Sequence, residues 1–415
     1  MIRVVLKLHQ VVVCIVLVAI MLVLDKIDTK GLQTGATYYV AITGNDSNPG
    51  TLARPFRTIP RGLSVLLPGD TLLVRAGTYT QELEPHNFSS GISWNESVTL
   101  KAYPGEKVIL KPNAGAMRVM TFDNTSSYII VDGFIMDASN ISLDAVKMQY
   151  EPSQAGAPNH IRIINCEIMN APAMGILTGA NADYLEFINN NIHDNGKVDH
   201  KAHGIYILGH FNLIEGNRLY RNANHGMQCD SGPCENNTVR RNLAYSNGAY
   251  FDLGRGIGFY RGKNNLIYNN IAWDNPDGGI KVYGNTDSKI FNNTLYHNTS
   301  NGIWVDDYNE NVVVRNNIIY QTVSGTDIID TGEDTVKDHN LTGVDPLFVN
   351  AAAQDFHLKP GSPAIAAGVA LPDVPTDFDG KPRPLGDAYD LGAYEWETMS
   401  PTSTQTATPL SSDGE

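Results

Sequence analysis

Side chains that can transfer protons or bind carboxylates flank a glycine that recurs through the middle of the chain. The recurring unit is a glycine followed by an apolar residue, found at Gly175-Ile176, Gly204-Ile205, Gly226-Met227, Gly256-Ile257, Gly279-Ile280 and Gly302-Ile303. The residues just before these glycines include His203, His225 and Arg255. Two residues after the glycines stand Tyr206, Gln228, Gly258, Lys281 and Trp304. Because the apolar residues between them point inward, we expect this second set to point outward.

These residue types suit proton abstraction from a uronate sugar. β-Elimination and C5 epimerisation both require a neutralised carboxylate, a base that removes the adjacent proton, and an acid. We predict Arg255 and Lys281 as the residues that bind the carboxylate. Gln228 and Trp304 are predicted as further substrate-binding residues.

The base and the acid are predicted from the same segments. His203 or His225 is the predicted base, because imidazole titrates near neutral pH. Tyr206 is the predicted acid. A histidine beside a glycine turn is also common as a simple surface hydrogen-bonding group, and isolated cations such as Arg255 are often just solvated, so both interpretations stay open.

An asparagine column indicates the architecture that positions these residues. Asparagine recurs about every two dozen residues, at Asn190, Asn217, Asn242, Asn270, Asn293 and Asn317. A second column follows five residues later, at Asn195, Asn222, Asn247, Asn275 and Asn298. The β-runs between them are too short for helices and are rich in Ile, Val and Tyr. The pattern predicts an all-β, right-handed parallel β-helix, a single-stranded solenoid with three short strands per coil, in which stacked asparagines form hydrogen-bonded ladders.

An aromatic column accompanies the first asparagine column. It comprises His193, Tyr220, Tyr245, Trp273, Tyr296 and Tyr320. We favour an external stack that stiffens one face of the solenoid. A platform that binds sugars through ring faces is the alternative.

Composition limits the partners of the chain. The 415 residues carry a formal net charge of −14, which repels nucleic acid, and no basic arm offsets it. A polysaccharide is the expected partner, and an acidic one would need a local basic patch or a cation. We expect a monomer.

The N-terminus predicts export. Arg3 and Lys7 precede an apolar run from Val11 to Leu24, which has the length of a signal peptide and is short for a membrane span. We assign residues 1–30 to a cleaved signal peptide or an uncleaved anchor, so membrane contact is expected only through this segment, and only if it is uncleaved. The protein is therefore expected to be secreted or displayed at the cell surface. Cys229 and Cys234 bracket a turn sequence and are predicted to form a disulfide.

The two ends of the predicted solenoid carry recognisable segments. The entry segment includes Gly44-Asn45-Asp46-Ser47-Asn48-Pro49-Gly50-Thr51 and Pro68-Gly69-Asp70-Thr71, and the closing segment includes Asp345-Pro346-Leu347-Phe348 and Asp390-Leu391-Gly392-Ala393-Tyr394. They resemble those of secreted bacterial β-helix proteins of the pectate-lyase-like family. We predict a β-helix at 38–345, with an N-terminal cap at about 38–69 and regular coils at about 159–325. A closing segment follows at 346–396, and a disordered Ser/Thr/Pro-rich tail at 397–415. The cap is predicted to include a short helix whose apolar face carries Phe56, Ile59, Leu63 and Leu66/Leu67.

The resemblance implies an extracellular, polysaccharide-active protein, most simply a lyase or C5-epimerase acting on a uronate-containing chain. The acidic motif of calcium-dependent pectate lyases is missing. The paired aspartates of polygalacturonases are missing too, which weakens glycoside hydrolysis. The alternatives are a non-catalytic glycan-binding or adhesion protein and a glycoside hydrolase on the same fold. No cofactor is predicted outright. Ca²⁺ is left open, with Asp194, Asp199, Asp230 and Asp252 as weak ligand candidates.

Overall fold

The computed structural model describes residues 35–149, 152–153, 155–198, 201–230, 232 and 234–397. The predicted signal segment at 1–30, the tail beyond Glu397 and the metal-ligand candidate Asp199 lie outside these described residues.

Three parallel β-sheets run along the described chain, and successive coils add strands to each of them. Sheet 1 has twelve strands, at Thr37–Val40, Thr71–Val74, Val98–Ala102, Ser127–Asp132, Asn159–Ile164, Glu186–Ile188, Leu213–Glu215, Thr238–Arg240, Leu266–Tyr268, Lys289–Phe291, Val313–Arg315 and Val336–Asp338. Sheet 2 has eleven, at Gly77–Tyr79, Val108–Leu110, Ile135–Asp137, Glu167–Met169, Asn191–His193, Arg218–Tyr220, Leu243–Tyr245, Ile271–Trp273, Thr294–Tyr296, Ile318–Tyr320 and Leu341–Thr342. Sheet 3 has nine, at Met120–Phe122, Val146–Met148, Ile176–Thr178, Ile205–Ile207, Met227–Cys229, Arg255–Tyr260, Gly278–Tyr283, Ile303–Val305 and Ile328–Asp330.

The remaining elements are short. Cys234–Glu235 pairs in parallel with Gly262–Lys263, and Phe348–Asn350 pairs antiparallel with Asp355–Leu358. One α-helix spans Ile59–Leu63, and 3₁₀ turns span Pro85–Asn87, Trp94–Glu96 and Ala351–Ala353. The fold is the right-handed parallel β-helix that the repeat predicts. Among the described residues, no helix is long and apolar enough to cross a membrane.

The interior is filled by the inward positions of the three sheets. In sheet 3 the residues after the recurring glycines are at most 1% exposed, namely Ile205, Met227, Ile257, Ile280 and Ile303. Burial of each such side chain contributes roughly 1.5–3 kcal/mol. The predicted inward and outward alternation is therefore confirmed for this sheet.

The asparagine columns form continuous ladders at the turns. Asn217 Nδ2 donates to Asn242 Oδ1 at 3.0 Å and to the carbonyl of Phe187 at 2.8 Å. Asn242 Nδ2 in turn donates to Asn270 Oδ1 at 2.9 Å. The column from Asn195 to Asn298 repeats this pattern. Each buried amide is thereby satisfied by the coil above and the coil below.

The N-terminal cap contains the predicted helix in shortened form. Thr58 caps Ile59–Leu63 by accepting the backbone N–H of Arg61, and Leu66 is buried. Leu67, which was assigned to the same apolar face, is 65% exposed. The helix ends at Leu63, so the helical periodicity does not extend to Leu67.

The closing segment packs on the outside of sheet 2. Phe348, Phe356 and Leu391 join Trp273 in one buried apolar cluster. Elsewhere in the segment, Arg383 and Glu395 form an ion pair whose side chains are 0% and 1% exposed.

The predicted disulfide is present. Cys229 and Cys234 are joined in a disulfide at the end of a sheet 3 strand. Cys166 is buried and free, in the first slot of the asparagine column.

Candidate active site on sheet 3

The register of sheet 3 places the predicted outward residues in one column. Backbone pairing aligns Tyr206 with Gln228, Gln228 with Gly258, Gly258 with Lys281, and Lys281 with Trp304. Rungs lie ~4.8 Å apart, so these five positions extend over roughly 20 Å of the solenoid axis. The column gives an extended ligand a continuous surface.

His203 and His225 lie beside this column and are nearly buried, with 4% and 5% of their surface exposed. Their ring centroids are 5.0 Å apart. Nδ1 of His203 accepts the backbone N–H of His225 at 3.2 Å, and Nδ1 of His225 accepts that of Arg255 at 3.1 Å. A neutral imidazole that accepts at Nδ1 carries its proton on Nε2.

The protonation of these histidines follows from their burial. Burial lowers the pKa of His203 to about 3. Burial, His203 and Arg255 together hold the pKa of His225 well below its usual value. Each ring lacks both a free acceptor nitrogen and the basicity that a base needs near neutral pH. His203 and His225 are therefore poor candidates for the predicted base, and the geometry makes them neutral positioning residues.

The two predicted carboxylate-binding cations already have acidic partners. Arg255 Nη2 lies 2.6 Å from Asp277 Oδ2, and Lys281 Nζ contacts Asp306 Oδ2. The side chains of Arg255 and Lys281 are 8% and 11% exposed. Burial raises the pKa of Asp277, against the opposing effects of Arg255 and Lys281. A uronate carboxylate that binds here has to share these cations with the two aspartates.

Tyr260 lies across the position that Gly258 leaves without a side chain. A Cβ at residue 258 would lie 3.0 Å from the Tyr260 ring and 3.3 Å from the His225 ring. The Tyr260 hydroxyl lies 3.4 Å from Arg255 Nη1 and 3.4 Å from His225 Nε2. Burial raises the pKa of Tyr260, so the phenol is protonated near neutral pH. A protonated phenol beside two cations is a suitable proton donor.

Trp304 closes one end of the cluster. Its ring centroid is 3.7 Å from Lys281 Nζ and 5.4 Å from Arg255 Cζ, within cation–π range. In the described part of the chain, the buried indole nitrogen of Trp304 has no hydrogen-bond partner. A buried donor without a partner is costly, which favours a ligand at this point.

Tyr206 and Gln228 lie at the other end. The half-buried Tyr206 has its ring 5.3 Å from that of His203. Gln228 is 9% exposed and donates to Asp230 at 3.3 Å. The histidine pair thus separates two phenols, Tyr206 and Tyr260.

Sequence reasoning missed Tyr260 and Asp277. The signal for Tyr260 was available, because it lies two residues after the outward Gly258 in the same strand and must share its face. Asp277 precedes its strand, where alternation gives no direction, and its contact with Arg255 crosses between coils.

No group of three or more His, Cys, Asp or Glu side chains within the described residues is arranged to hold a metal ion. Asp194 pairs with Arg221 and His193 on the sheet 2 side. Asp230 contacts Gln228 and Arg261 near sheet 3. The Ca²⁺ candidates therefore do not converge among the described residues.

The aromatic column stacks as the stiffening interpretation predicts. The rings of His193 and Tyr220, Tyr220 and Tyr245, and Tyr245 and Trp273 are 4.6, 4.9 and 4.2 Å apart and nearly parallel. Phe356 of the closing segment lies 5.4 Å from Trp273, which is 4% exposed. These ring faces are covered by one another and by the closing segment, which disfavours a sugar platform.

Comparison with known proteins identifies two matching family models. One, described as "Pel9A-like, right handed beta helix region", matches residues 38–203, and the other, described as "Right handed beta helix region", matches residues 250–356. Uncharacterized protein YwoF of Bacillus subtilis (strain 168) is 32% identical over 89 residues, which is 21% of this chain and 18% of that protein. The match therefore spans less than a fifth of that relative.

Solved structures share the fold over most of the chain. Pectate lyase Pel9A has 19% identity and a TM-score of 0.63, with 89% of this chain and 98% of that one covered. The GH136 lacto-N-biosidase from Eubacterium ramulus has 13% identity and a TM-score of 0.56, with 76% and 68% covered. A rhamnogalacturonan lyase has 17% identity and a TM-score of 0.50, with 84% and 99% covered. At these identities the likeness concerns the fold.

Proposed function

This chain is a right-handed β-helix protein of the pectate-lyase-like kind, and on that premise we propose that it is an enzyme acting on a uronate-containing polysaccharide bound along sheet 3. The observation that carries the proposal is the position of Tyr260. Its hydroxyl reaches Arg255 and His225 across the gap at Gly258, on the face that also presents Lys281. Structural roles alone do not require a phenol, a guanidinium and an ammonium to meet there.

The roles follow from charge and protonation. Arg255 receives the uronate carboxylate, because a guanidinium binds carboxylates in two-point geometry. Neutralising the carboxylate acidifies the adjacent C5–H, and the pair of electrons released forms the C4–C5 double bond as the O4 leaving group departs. Tyr260 donates a proton to that oxygen. In an epimerase O4 would stay bonded, and Tyr260 would instead donate its own proton to C5 from the opposite face.

The acceptor of the C5 proton is one of two outward residues, Lys281 or Tyr206. Lys281 is one rung from Gly258, and its Nζ is 5.9 Å from the Tyr260 ring centroid. Tyr206 is two rungs away on the other side. If Lys281 is not the base, its ammonium is the second group that binds the carboxylate.

Lys281→Arg distinguishes these roles. A guanidinium keeps the charge and cannot accept a proton near neutral pH, so Lys281→Arg retains activity if Lys281 binds the carboxylate and abolishes it if Lys281 is the base. Tyr206→Phe should abolish activity if Tyr206 is the base and should retain it if Lys281 is the base. Activity is read as the ultraviolet absorbance of unsaturated uronate released from pectate, alginate and glycosaminoglycans.

Tyr260→Phe tests the proposed proton donor. We expect it to lower turnover about 10²- to 10⁴-fold, the usual contribution of general acid–base catalysis. Tyr283 is the residue paired with Tyr260 on the next coil. Tyr283→Phe is therefore the matched control and should retain activity. Equal turnover by the two variants would remove Tyr260 from the mechanism.

A glycoside hydrolase is the second candidate function, and one observation favours it. Asp277 and Asp306 supply two carboxylates to the same cluster, and Asp277 has a raised pKa, as a general acid requires. A hydrolase would produce new reducing ends without unsaturated product and would lose activity in Asp277→Asn. The same incubations therefore separate the two functions.

We also propose that the protein works outside the cytoplasm. The apolar run from Val11 to Leu24 is consistent with export, and a disulfide such as Cys229–Cys234 persists in oxidising compartments. Fractionation of the producing cells tests this, and recovery of the chain with cytosolic markers would contradict it.

A further inference from the structure

The outward column of sheet 3 continues past Tyr206 toward the N-terminal coils. Backbone pairing aligns Tyr206 with Leu177, Leu177 with Lys147, and Lys147 with Thr121. Lys147 therefore lies four rungs from Gly258 on the same face, roughly 19 Å along the axis. A polysaccharide lying along this column would reach Lys147.

Lys147 is an unusual member of the column. Within the described residues its ammonium has no hydrogen-bond or ion-pair partner. Burial lowers the pKa of Lys147, although the nearby carboxylate of Asp144 raises it in part. Because this half-buried ammonium has lost part of its hydration without gaining a direct partner, it is suited to bind an anionic group of a ligand.

Arg118 adds a second cation at the same place. Its Nε lies 3.7 Å from Asp144 Oδ2, and the two side chains are 14% and 7% exposed. That Nε–H is buried and, in the part of the chain that the structure describes, has no hydrogen-bond acceptor. The Asp144 carboxylate thus faces two cations, and the Arg118 Nε–H keeps an unused donor.

A cavity of about 260 Å³ opens beside these cations. Its lining includes three carboxylates, Glu82, Glu84 and Asp123, together with Arg118, Thr121 and Gln149. Lys147 is paired with Thr121 on the next rung. The acidic groups among them are engaged with the protein. Glu82 accepts the backbone N–H groups of Met117 and Arg118, and Asp123 accepts that of Thr125. Glu84 lies 3.3 Å from His86 Nδ1. The two cations can bind the carboxylate of a sugar, and the lining carboxylates can accept hydrogen bonds from its hydroxyl groups.

We propose that Lys147 and Arg118 form a second carboxylate-binding subsite, which holds a uronate four units from the one at Gly258. The inference rests on the proposed function, because it assumes that a uronate chain lies along sheet 3. It implies that the protein recognises long uronate chains and binds short oligomers at one end of the column alone.

The test is calorimetric binding of defined oligouronates to the full chain carrying Tyr260→Phe, which is expected to slow turnover at least about a hundredfold. Trimers and hexamers of galacturonate and of mannuronate are the probes. We expect Lys147→Met to weaken hexamer binding about tenfold, the effect of one lost charged contact, and to leave trimer binding unchanged. Lys147→Arg should restore hexamer binding. Lys263→Met, which removes an exposed lysine, is the matched control for charge and should have no effect.

The binding results separate a failure of the second subsite from a failure of the proposed function. Hexamer binding that is unchanged in Lys147→Met, or lost equally for trimer and hexamer, overturns the second subsite and leaves the proposed function intact. If neither oligomer binds in either series, the proposed function fails with it.

Discussion

At the scale of single residues, the face of sheet 3 combines groups that a purely structural surface would keep apart. Arg255 and Lys281 are mostly buried, and Asp277 and Asp306 offset their charges. The neutral histidines hold the backbone of the next coil through Nδ1, which fixes the direction of Arg255. Histidine here supports the site by remaining uncharged.

A pH dependence of stability follows from His203. Its pKa is about 3 in the folded chain, against 6.5 ordinarily. Below pH 6.5 the unfolded chain binds a proton that the folded chain excludes, so the free energy of unfolding falls as the pH falls toward 3. Between pH 6.5 and about pH 5 this histidine should cost about 2 kcal/mol.

Urea unfolding at neutral pH and at about pH 5 measures this effect. His203→Gln should reduce the dependence and leave the part that His225 contributes, while His297→Gln, at an exposed site, should leave it as it is. A dependence that is equally steep in His203→Gln and in the unchanged chain would show that His203 does not contribute to it.

At the scale of elements, the asparagine ladders determine which residues become neighbours. The repeated asparagines, glycines and inward aliphatic residues were sufficient to predict the coils, the sheet 3 register and the stack of aromatic rings. They could not predict that His203 and His225 are buried, because the glycine beside each removes the alternation that gives direction. Contacts between coils, such as Arg255 with Asp277, depend on side-chain reach rather than on period.

The ladder itself is open to measurement at Asn242. Asn242 Nδ2 donates to Ile214 O and Asn270 Oδ1, and its Oδ1 accepts from Asn217. Asn242→Ala leaves several buried groups unpaired and should lower the free energy of unfolding by about 3 kcal/mol.

The matched variant is Asn340→Ala, at a half-buried rung near the end of the column. Water can replace its contacts, so we expect a loss of about 1 kcal/mol or less. Equal losses at the two positions in denaturant unfolding would mean that the ladder contributes no more inside the stack than at its end.

At the scale of the whole molecule, the closing segment and the site occupy different sheets. Phe348 and Phe356 cover the aromatic column of sheet 2, while the face of sheet 3 retains the charged cluster. The segment therefore stabilises the C-terminal coils without contributing to the proposed active site.

Phe356→Ala tests whether the closing segment covers the aromatic column of sheet 2. Loss of a buried phenylalanine should cost about 3 kcal/mol and should open Trp273, 5.4 Å away, to quenching by iodide. Phe211→Ala, at a ring that is 49% exposed, should change neither property. Unchanged quenching in Phe356→Ala would contradict the covering role.

The central claim is that the face of sheet 3 removes the C5 proton of a uronate. Proton NMR of pectate or alginate incubated with the protein in deuterium oxide tests it most directly, since both elimination and epimerisation deplete the C5–H signal. We predict that the signal falls with the intact chain and persists with Tyr260→Phe. Polysaccharide that is shortened, or bound, with every C5–H retained would contradict the account.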